Sequence, residues 1–417
     1  MVTTFCVTGI ACSVSAQATG LIAGASGILL ATHATGTPQG RTITEAYLTQ
    51  PMLSADWRAS WFEALGILNL EGLTLRRGEL DLGAWGEGYV DRRHPHAYVH
   101  ELMAGVHSTH GIVAGSLYAG RGFVPFGSDD PMTRPFVSYP VDHHLAQILE
   151  RLMVVGALRG GPLVLEAATF NGDEPLDSST LPLARRFGDS WALRGTLAGE
   201  SASSLLGRLE LAASYAGVKS PEFREGQGLD QRKAHVDLRL DGAAGPFTRY
   251  ALVEAARTTD VDRGRALYSF DAVLAEAAIC RNELGVAARW ERSDRPEEER
   301  LLDLFRSARP ATDASILGVT QWTTVSAAIA LPAVTIAASQ VAPFVEVARI
   351  TADRTTAAVF DPVSFYGTNL MWRLSLGLRL GLGHMHERVG RYGVAAHPMS
   401  AGPHEAHDHG RLRRCFS

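Results

Sequence analysis

The chain has 417 residues, a formal net charge of −5 and 46% hydrophobic residues, and its mean hydropathy is close to zero. That length holds two or three ordinary domains or one large all-β body. The acidic balance supplies no basic footprint for nucleic acid, and the polarity excludes both a disordered chain and a bundle of membrane helices.

From the N-terminus, the first forty residues contain no Asp, Glu, Lys or Arg. The stretch "FCVTGIACSVSAQA" joins a short apolar run to small residues at Val14 and Ala16, the pattern of a signal peptide spanning 1–16, although a basic n-region is missing. No later run approaches about 18–20 uninterrupted apolar residues, so no spanning helix is expected. Of four cysteines, Cys6 and Cys12 lie near the start while Cys280 and Cys415 are far apart. That pattern gives neither a disulfide framework nor a CxxC metal knuckle.

Alternation of period two dominates the rest. In "MWRLSLGLRLGL", Trp372, Leu374, Leu376, Leu378 and Leu380 alternate with Arg373, Ser375, Gly377 and Arg379. "QRKAHVDLRL" and "GRLELAASY" repeat the pattern with Lys233, His235, Asp237 and Arg239, and with Arg208, Glu210 and Ser214. Each segment therefore has one apolar and one polar face. A soluble sandwich would alternate as well, but its connections have no reason to keep a phase. Here strands are predicted at 20–32, 42–52, 58–70, 97–107, 112–120, 150–158, 163–170, 189–198, 206–217, 231–240, 247–257, 264–277, 284–292, 314–329, 336–350 and 368–382. The segment at 97–107 reads equally well as a short helix. Long connections at 33–41, 71–96, 121–149, 171–188, 218–230, 258–263, 293–313 and 351–367 alternate with short ones, including 53–57, 108–111, 159–162 and 278–283. This asymmetry and an even strand number near sixteen, bracketed by fourteen and eighteen, predict an all-β, transmembrane antiparallel β-barrel over 17–383, with both chain ends on the short-turn side. Trp191, Tyr215, Tyr250, Trp290, Trp322 and Trp372 lie near strand ends and suit interfacial girdles. "RPEEERLLDLFRSARP" (295–310) has the spacing of an amphipathic helix capping an outer loop. Residues 384–417, rich in His, Gly and Pro, read as a flexible tail.

The polar faces carry charge of both signs, among them Arg194, Arg208, Lys233, Arg239, Arg289, Arg373 and Arg379 against Glu210, Asp237, Asp271, Glu276 and Glu291. Such a wall creates a transverse field across a lumen. The stretch "GFVPFGSDDPMTRPFVSYPVDHH" falls in the third outer loop. Its prolines deny it ladder hydrogen bonds, and its length exceeds a hairpin connection. The expected constriction residues are Asp129, Asp130, Arg134, Asp142, His143 and His144, facing wall residues Arg208, Glu210, Lys233, Arg239, Arg373 and Arg379. A loop folded outward as a cap is the alternative. "RRHPHAYVH" supplies His94, His96 and His100, which with Glu101 and the paired histidines form a competing zinc or copper site. The tail histidines His404, His407 and His409 would bind metal only weakly. No GxSxG, P-loop, HExxH or strand-to-helix GxGxxG is present, so no enzyme is expected.

With "HPHAYVHEL", "LEAATFNGDEP" and "GLDQRK" also in view, the chain resembles porin-like bacterial outer-membrane β-barrel proteins, and more distantly the phosphate-selective porins. By motif the resemblance covers most of 90–235. It implies a sixteen-stranded barrel among outer-membrane lipid, passing small hydrophilic solutes or ions, and it allows a homotrimer. Anion selectivity in the phosphate-selective porins depends on a ladder of inward basic residues, which is not matched here residue by residue because acidic residues share the lumen face. The remaining alternatives are a barrel that binds or transports a metal, and a plugged barrel serving as a structural or docking protein.

Overall fold

The computed structural model describes residues 20–37, 40–74, 96–141, 143–175, 178–200, 207–298, 316–355, 361–385, 388–396 and 415–416. Its strands are β1 (Gly20–Thr37), β2 (Arg41–Arg58), β3 (Phe62–Asn69), β4 (Val99–His110), β5 (Val113–Gly122), β6 (Arg151–Gly160), β7 (Leu163–Phe170), β8 (Ser190–Glu200) and β9 (Arg208–Val218). They continue as β10 (Asp230–Ala244), β11 (Phe247–Asp262), β12 (Arg265–Arg281), β13 (Leu284–Glu298), β14 (Ile316–Ala330), β15 (Val334–Ile336), β16 (Ser339–Arg354) and β17 (Leu370–Gly383). Each strand pairs antiparallel with the next in sequence, except β14, which pairs with β16. β14 and the three-residue β15 both pair with β16 and together make one stave, so the wall has sixteen. β1 pairs with β17 from Gly24↔Gly383 to Ala34↔Arg373, which closes the sheet. Closure satisfies every ladder group internally, the condition for crossing hydrocarbon with strands.

The polarity of this barrel is inside-out. On β17, Arg373, Ser375 and Arg379 are buried while Trp372, Leu374, Leu376 and Leu378 are exposed. On β9, Glu210 and Ser214 are buried while Leu211 and Tyr215 are exposed. Leaving one such apolar side chain in water costs about 1.5–3 kcal/mol relative to burial. Dozens of them form the outer surface, so that surface belongs in lipid. The protein is a membrane-spanning β-barrel. Trp191, Tyr215, Trp290 and Trp372 face outward as expected, joined by Trp57 and Trp61 near the opposite rim. Tyr250 and Trp322 instead point into the lumen and are buried.

The two rims differ as the sequence indicates. On the rim carrying both chain ends, β4–β5, β6–β7, β10–β11 and β12–β13 are joined by two-residue turns. Asn282 and Glu283 both take positive φ, 48° and 68°, as a type I′ hairpin requires. On the other rim lie the described parts of the connections 70–98, 123–150, 171–189, 219–229 and 355–369. Two expected long loops are short. β11 and β12 turn tightly at Arg263 and Gly264, and β1 and β2 extend until only 38–40 separates them. The break expected at 53–57 lies inside β2. The irregularity falls earlier, at Gln50 (φ 47°) beside Pro51, where the register with β1 slips. A proline that cannot donate to the ladder is accommodated by such a bulge. The segment at 97–107 is strand, paired on both sides by β3 and β5. Of the helix expected at 295–310, the first residues extend β13 and the remainder lies outside the described residues, as does the 1–16 signal peptide.

Candidate functional site

The lumen-facing side chains of the strands form an acid-rich wall. Glu101, Glu166, Glu210, Asp237, Glu254, Glu276, Glu291 and Glu346 are buried there, with Arg194, Lys233, Arg289, Arg373 and Arg379 among them. Asp271, expected on this face, points outward and pairs with exposed Arg257 at 2.6 Å. The β12 face that carries Phe270, Ala272, Leu274 and Glu276 is the inward one. Charges cannot remain unpaired inside such an enclosure without large cost. Some pair within the wall, Arg194 with Glu166 at 2.6 and 2.7 Å and Arg289 with Glu276 at 2.8 Å, and two segments that enter the lumen supply further partners.

The first is the proline-rich connection 123–150, which folds inward. Phe123, Phe126, Asp129, Asp130, Arg134, Phe136, Ser138, Tyr139 and His143 are all buried. Its backbone has few ladder partners, and wall charges take their place. The Ser138 N–H and hydroxyl donate to Glu346 at 3.2 and 2.7 Å, and Val137 N–H donates to the same carboxylate. Val141 N–H donates to Glu291 at 2.8 Å. Its carbonyls accept from wall cations: Gly127 from Arg194 (3.3 Å), Pro135 from Arg379 (2.7 Å), Ser138 from Arg289 (2.7 Å) and His144 from Lys233 (2.8 Å). Arg134 crosses to Glu254 at 2.9 Å. Gly127 sits at φ 76°, where a Cβ would meet the Ala146 carbonyl oxygen at 1.8 Å, so the sharp bend needs glycine.

The second is the segment after β17, where the sequence suggests a flexible tail. Residues 388–396 instead pack inside the barrel. Arg388 bonds Glu210 at 2.9 and 3.0 Å and Asp129 at 3.0 and 3.1 Å. Arg391 reaches Asp129 at 3.1 Å and Glu166 at 3.6 Å. The Tyr392 hydroxyl donates to Glu101 at 2.5 Å and accepts from Phe123 N–H at 2.8 Å. Cys415 forms a disulfide with Cys280 of β12, 135 residues away, which corrects the reading of those cysteines as unlinked. Phe416 enters an apolar cluster with Phe136, Tyr250, Leu252 and Leu274, and its carbonyl accepts from Arg379.

Asp129 joins wall and segments. It accepts from Arg239 on β10 as well as from Arg388 and Arg391. Burial alone would raise its carboxyl pKa, but Arg388, Arg239 and Arg391 outweigh that and hold it well below the usual carboxylate range. Burial likewise opposes the charge of Arg388, while Asp129 and Glu210 hold its pKa above the ordinary value. At the foot of β6, burial would raise Glu150, and hydrogen bonds from His100 and His96 bring it well below its normal range.

Of the expected constriction residues, Asp129, Arg208, Glu210 and Arg239 come together in one cluster. Arg379 and Lys233 hold the inward loop, and Arg373 is buried on the lumen face of β17. Asp130 caps a short helical turn through Met132 N–H at 2.7 Å. The His143 and His144 rings lie tilted against each other with centroids 4.4 Å apart. Burial lowers the His143 pKa well below normal, with His144 and His96 adding to the shift. Asp142 and His94 lie outside the described residues. His96 and His100 do approach each other, at 5.0 Å between ring centroids. Glu150 joins them, where the sequence reading placed His94. Arg388, Arg391, Tyr392 and Glu150 went unrecognised. The available signal was "RVGRYG", a basic motif beyond the last strand of an acid-rich wall.

No protein-family model and no curated protein matches the chain. Similar solved structures are bacterial outer-membrane proteins. An anion-selective porin from Comamonas acidovorans has 9% identity and a TM-score of 0.49, covering 88% of this chain and 100% of that one. The trimer form of OmpT from Vibrio cholerae has 9% identity and a TM-score of 0.48, with the same coverage. OpdO from Pseudomonas aeruginosa has 10% identity and a TM-score of 0.40, covering 88% of this chain and 98% of that one.

Proposed function

We propose that the barrel is an outer-membrane channel for passive diffusion of small hydrophilic solutes or ions, with 123–150 and the C-terminal segment setting its narrowest passage. The observation that carries this reading is the charged lumen. A wall of both signs surrounds a constriction made of Asp129, Arg239, Glu210 and Arg388, not a dry apolar core. In this role the wall charges orient hydrated solutes, and the inward loop limits their size. Asp130, Arg134, His143, His144, Arg208, Lys233, Arg373 and Arg379 hold or flank the constriction. The experiment is conductance of the purified, folded barrel in a planar bilayer, where discrete ohmic steps are expected. A reversal potential in a salt gradient then gives the selectivity.

A plugged barrel is the second reading, favoured by the disulfide and by the burial of Val389, Arg391 and Tyr392 in the lumen. It expects silence from the native protein, and steps once Cys415→Ser frees the C-terminal end.

A further inference from the structure

Where the inward loop meets the outer ends of β4 and β6, two histidines and a carboxylate converge. His96, His100 and Glu150 each offer one ligand atom, all within 4.8 Å of one another. His100 Nδ1 lies 2.7 Å and His96 Nδ1 3.5 Å from the same oxygen, Glu150 Oε1. The carboxylate is itself fixed, since Ala97 N–H donates to both of its oxygens at 2.9 and 3.0 Å. Glu150 holds φ at 58°, a left-handed conformation uncommon for a non-glycine residue and frequent at functional positions.

The far side of His100 adds an independent observation. Its Nε2 faces Asp130 Oδ2 at 3.5 Å, and neither atom has another hydrogen-bond partner among the described residues although both residues are buried. A carboxylate behind one ring nitrogen favours the proton on that nitrogen, leaving the lone pair on the other. With Nε2–H directed at Asp130, His100 Nδ1 and Glu150 Oε1 face each other across a single bridging proton, and His96 Nδ1 lies 3.5 Å from the same oxygen. A metal ion that displaces that proton would find three ligand atoms already facing one another.

We propose that His96, His100 and Glu150 bind one divalent transition-metal ion of the zinc or copper class, with Asp130 as the positioning carboxylate behind His100. Nitrogen and carboxylate ligands at about 2.0–2.2 Å, arranged tetrahedrally, lie roughly 3.3 Å apart. The 3.5 Å separation fits as it stands, and the 2.7 Å contact opens by about half an ångström on binding. Two imidazoles and one carboxylate leave a fourth position for water or an incoming ligand. His96 is the partly exposed member of the set and gives the ion a way in. The site ties the inward loop to β4 and to the residues that lead into it. It stands whether or not the barrel conducts.

The test uses the folded, full-length barrel in detergent, with His404, His407 and His409 replaced by Ala to remove weak tail binding. Titration with Zn(II) alone is expected to saturate at one ion per barrel, with affinity falling about tenfold or more in His96→Asn and in Glu150→Gln. Cu(II) in the same site is expected to show coupling to two histidine nitrogens by electron paramagnetic resonance, reduced to one by His96→Asn. Because His96 is partly exposed, that variant decides the matter even if Glu150→Gln does not fold. Absence of saturable one-to-one binding, or unchanged affinity in a folded His96→Asn barrel, would overturn the proposal and leave protons as the bridging cations.

Discussion

At the residue scale, Asp129 carries the most. Three guanidinium groups from two different elements converge on its carboxylate, and removing one partner from a buried ion network costs about 3–5 kcal/mol. Asp129→Asn is therefore expected to lower the thermal midpoint of the heat-modifiable gel shift and to loosen both inward segments. The pH dependence has a definite sign. The folded-state pKa of Asp129 is depressed, so its stabilisation is fully present above the unfolded value of about 3.9 and is lost as pH falls through the folded value. The midpoint difference between native protein and Asp129→Asn should hold from pH 7 down to about 4 and shrink only below that. A difference that disappears near pH 6 would assign the effect to histidines instead. His143 contributes with a distinct profile. Its folded pKa is lowered by burial, so its contribution is present above about pH 6.5 and is lost as pH falls through the unfolded value, since unfolding then takes up a proton.

At the scale of elements, the C-terminal segment is an inserted strut. Cys280–Cys415 closes a span of 135 residues, and in the chain-entropy account such a crosslink destabilises the unfolded state by about 5 kcal/mol. Phe416 and Arg379 anchor the same end. Cys415→Ser, or a reductant, is expected to raise single-channel conductance while the barrel stays folded by gel shift; an unchanged conductance would mean that the arginine contacts alone hold the segment. The strands could be read because lipid imposes a strict period of two on each one. The strut and the inward loop could not be read in the same way. Their partners are set by closure of the barrel: Arg134 meets Glu254 across 120 residues and Arg388 meets Asp129 across 259, and no local pattern records such distances. Even so, Asp129, Arg239 and Glu210 could be singled out, because a charge at a lumen-facing strand position or in a proline-held loop has few places to go. Arg388 and Arg391 were hidden by their setting among His, Gly and Pro residues, a composition that reads as solvated chain. Cys280 and Cys415 were hidden by their separation.

At the scale of the whole molecule, the inversion of polarity is the defining property. The staves present mainly apolar side chains outward and most of them place charge within, so the same substitution has opposite consequences on the two faces. Leu376, exposed at the middle of β17, is expected to resist charge: Leu376→Arg should destabilise the barrel by about 2–4 kcal/mol in lipid vesicles, read by urea titration. A negligible change would place that face in water and remove the membrane from the account. The two rims also differ in chemistry, with tight turns at one end and the long connections that contain 123–150 at the other. In the proposed channel the constriction is built from the outer side, and the C-terminal strut enters from the inner side to meet it at Asp129. The central claim is that this meeting point narrows a water-filled passage. Single-channel recording of the native barrel beside Cys415→Ser tests it most directly. The expected result is ohmic steps from the native protein and larger ones from the variant; a heat-modifiable, fully folded preparation giving no steps in either form would contradict it.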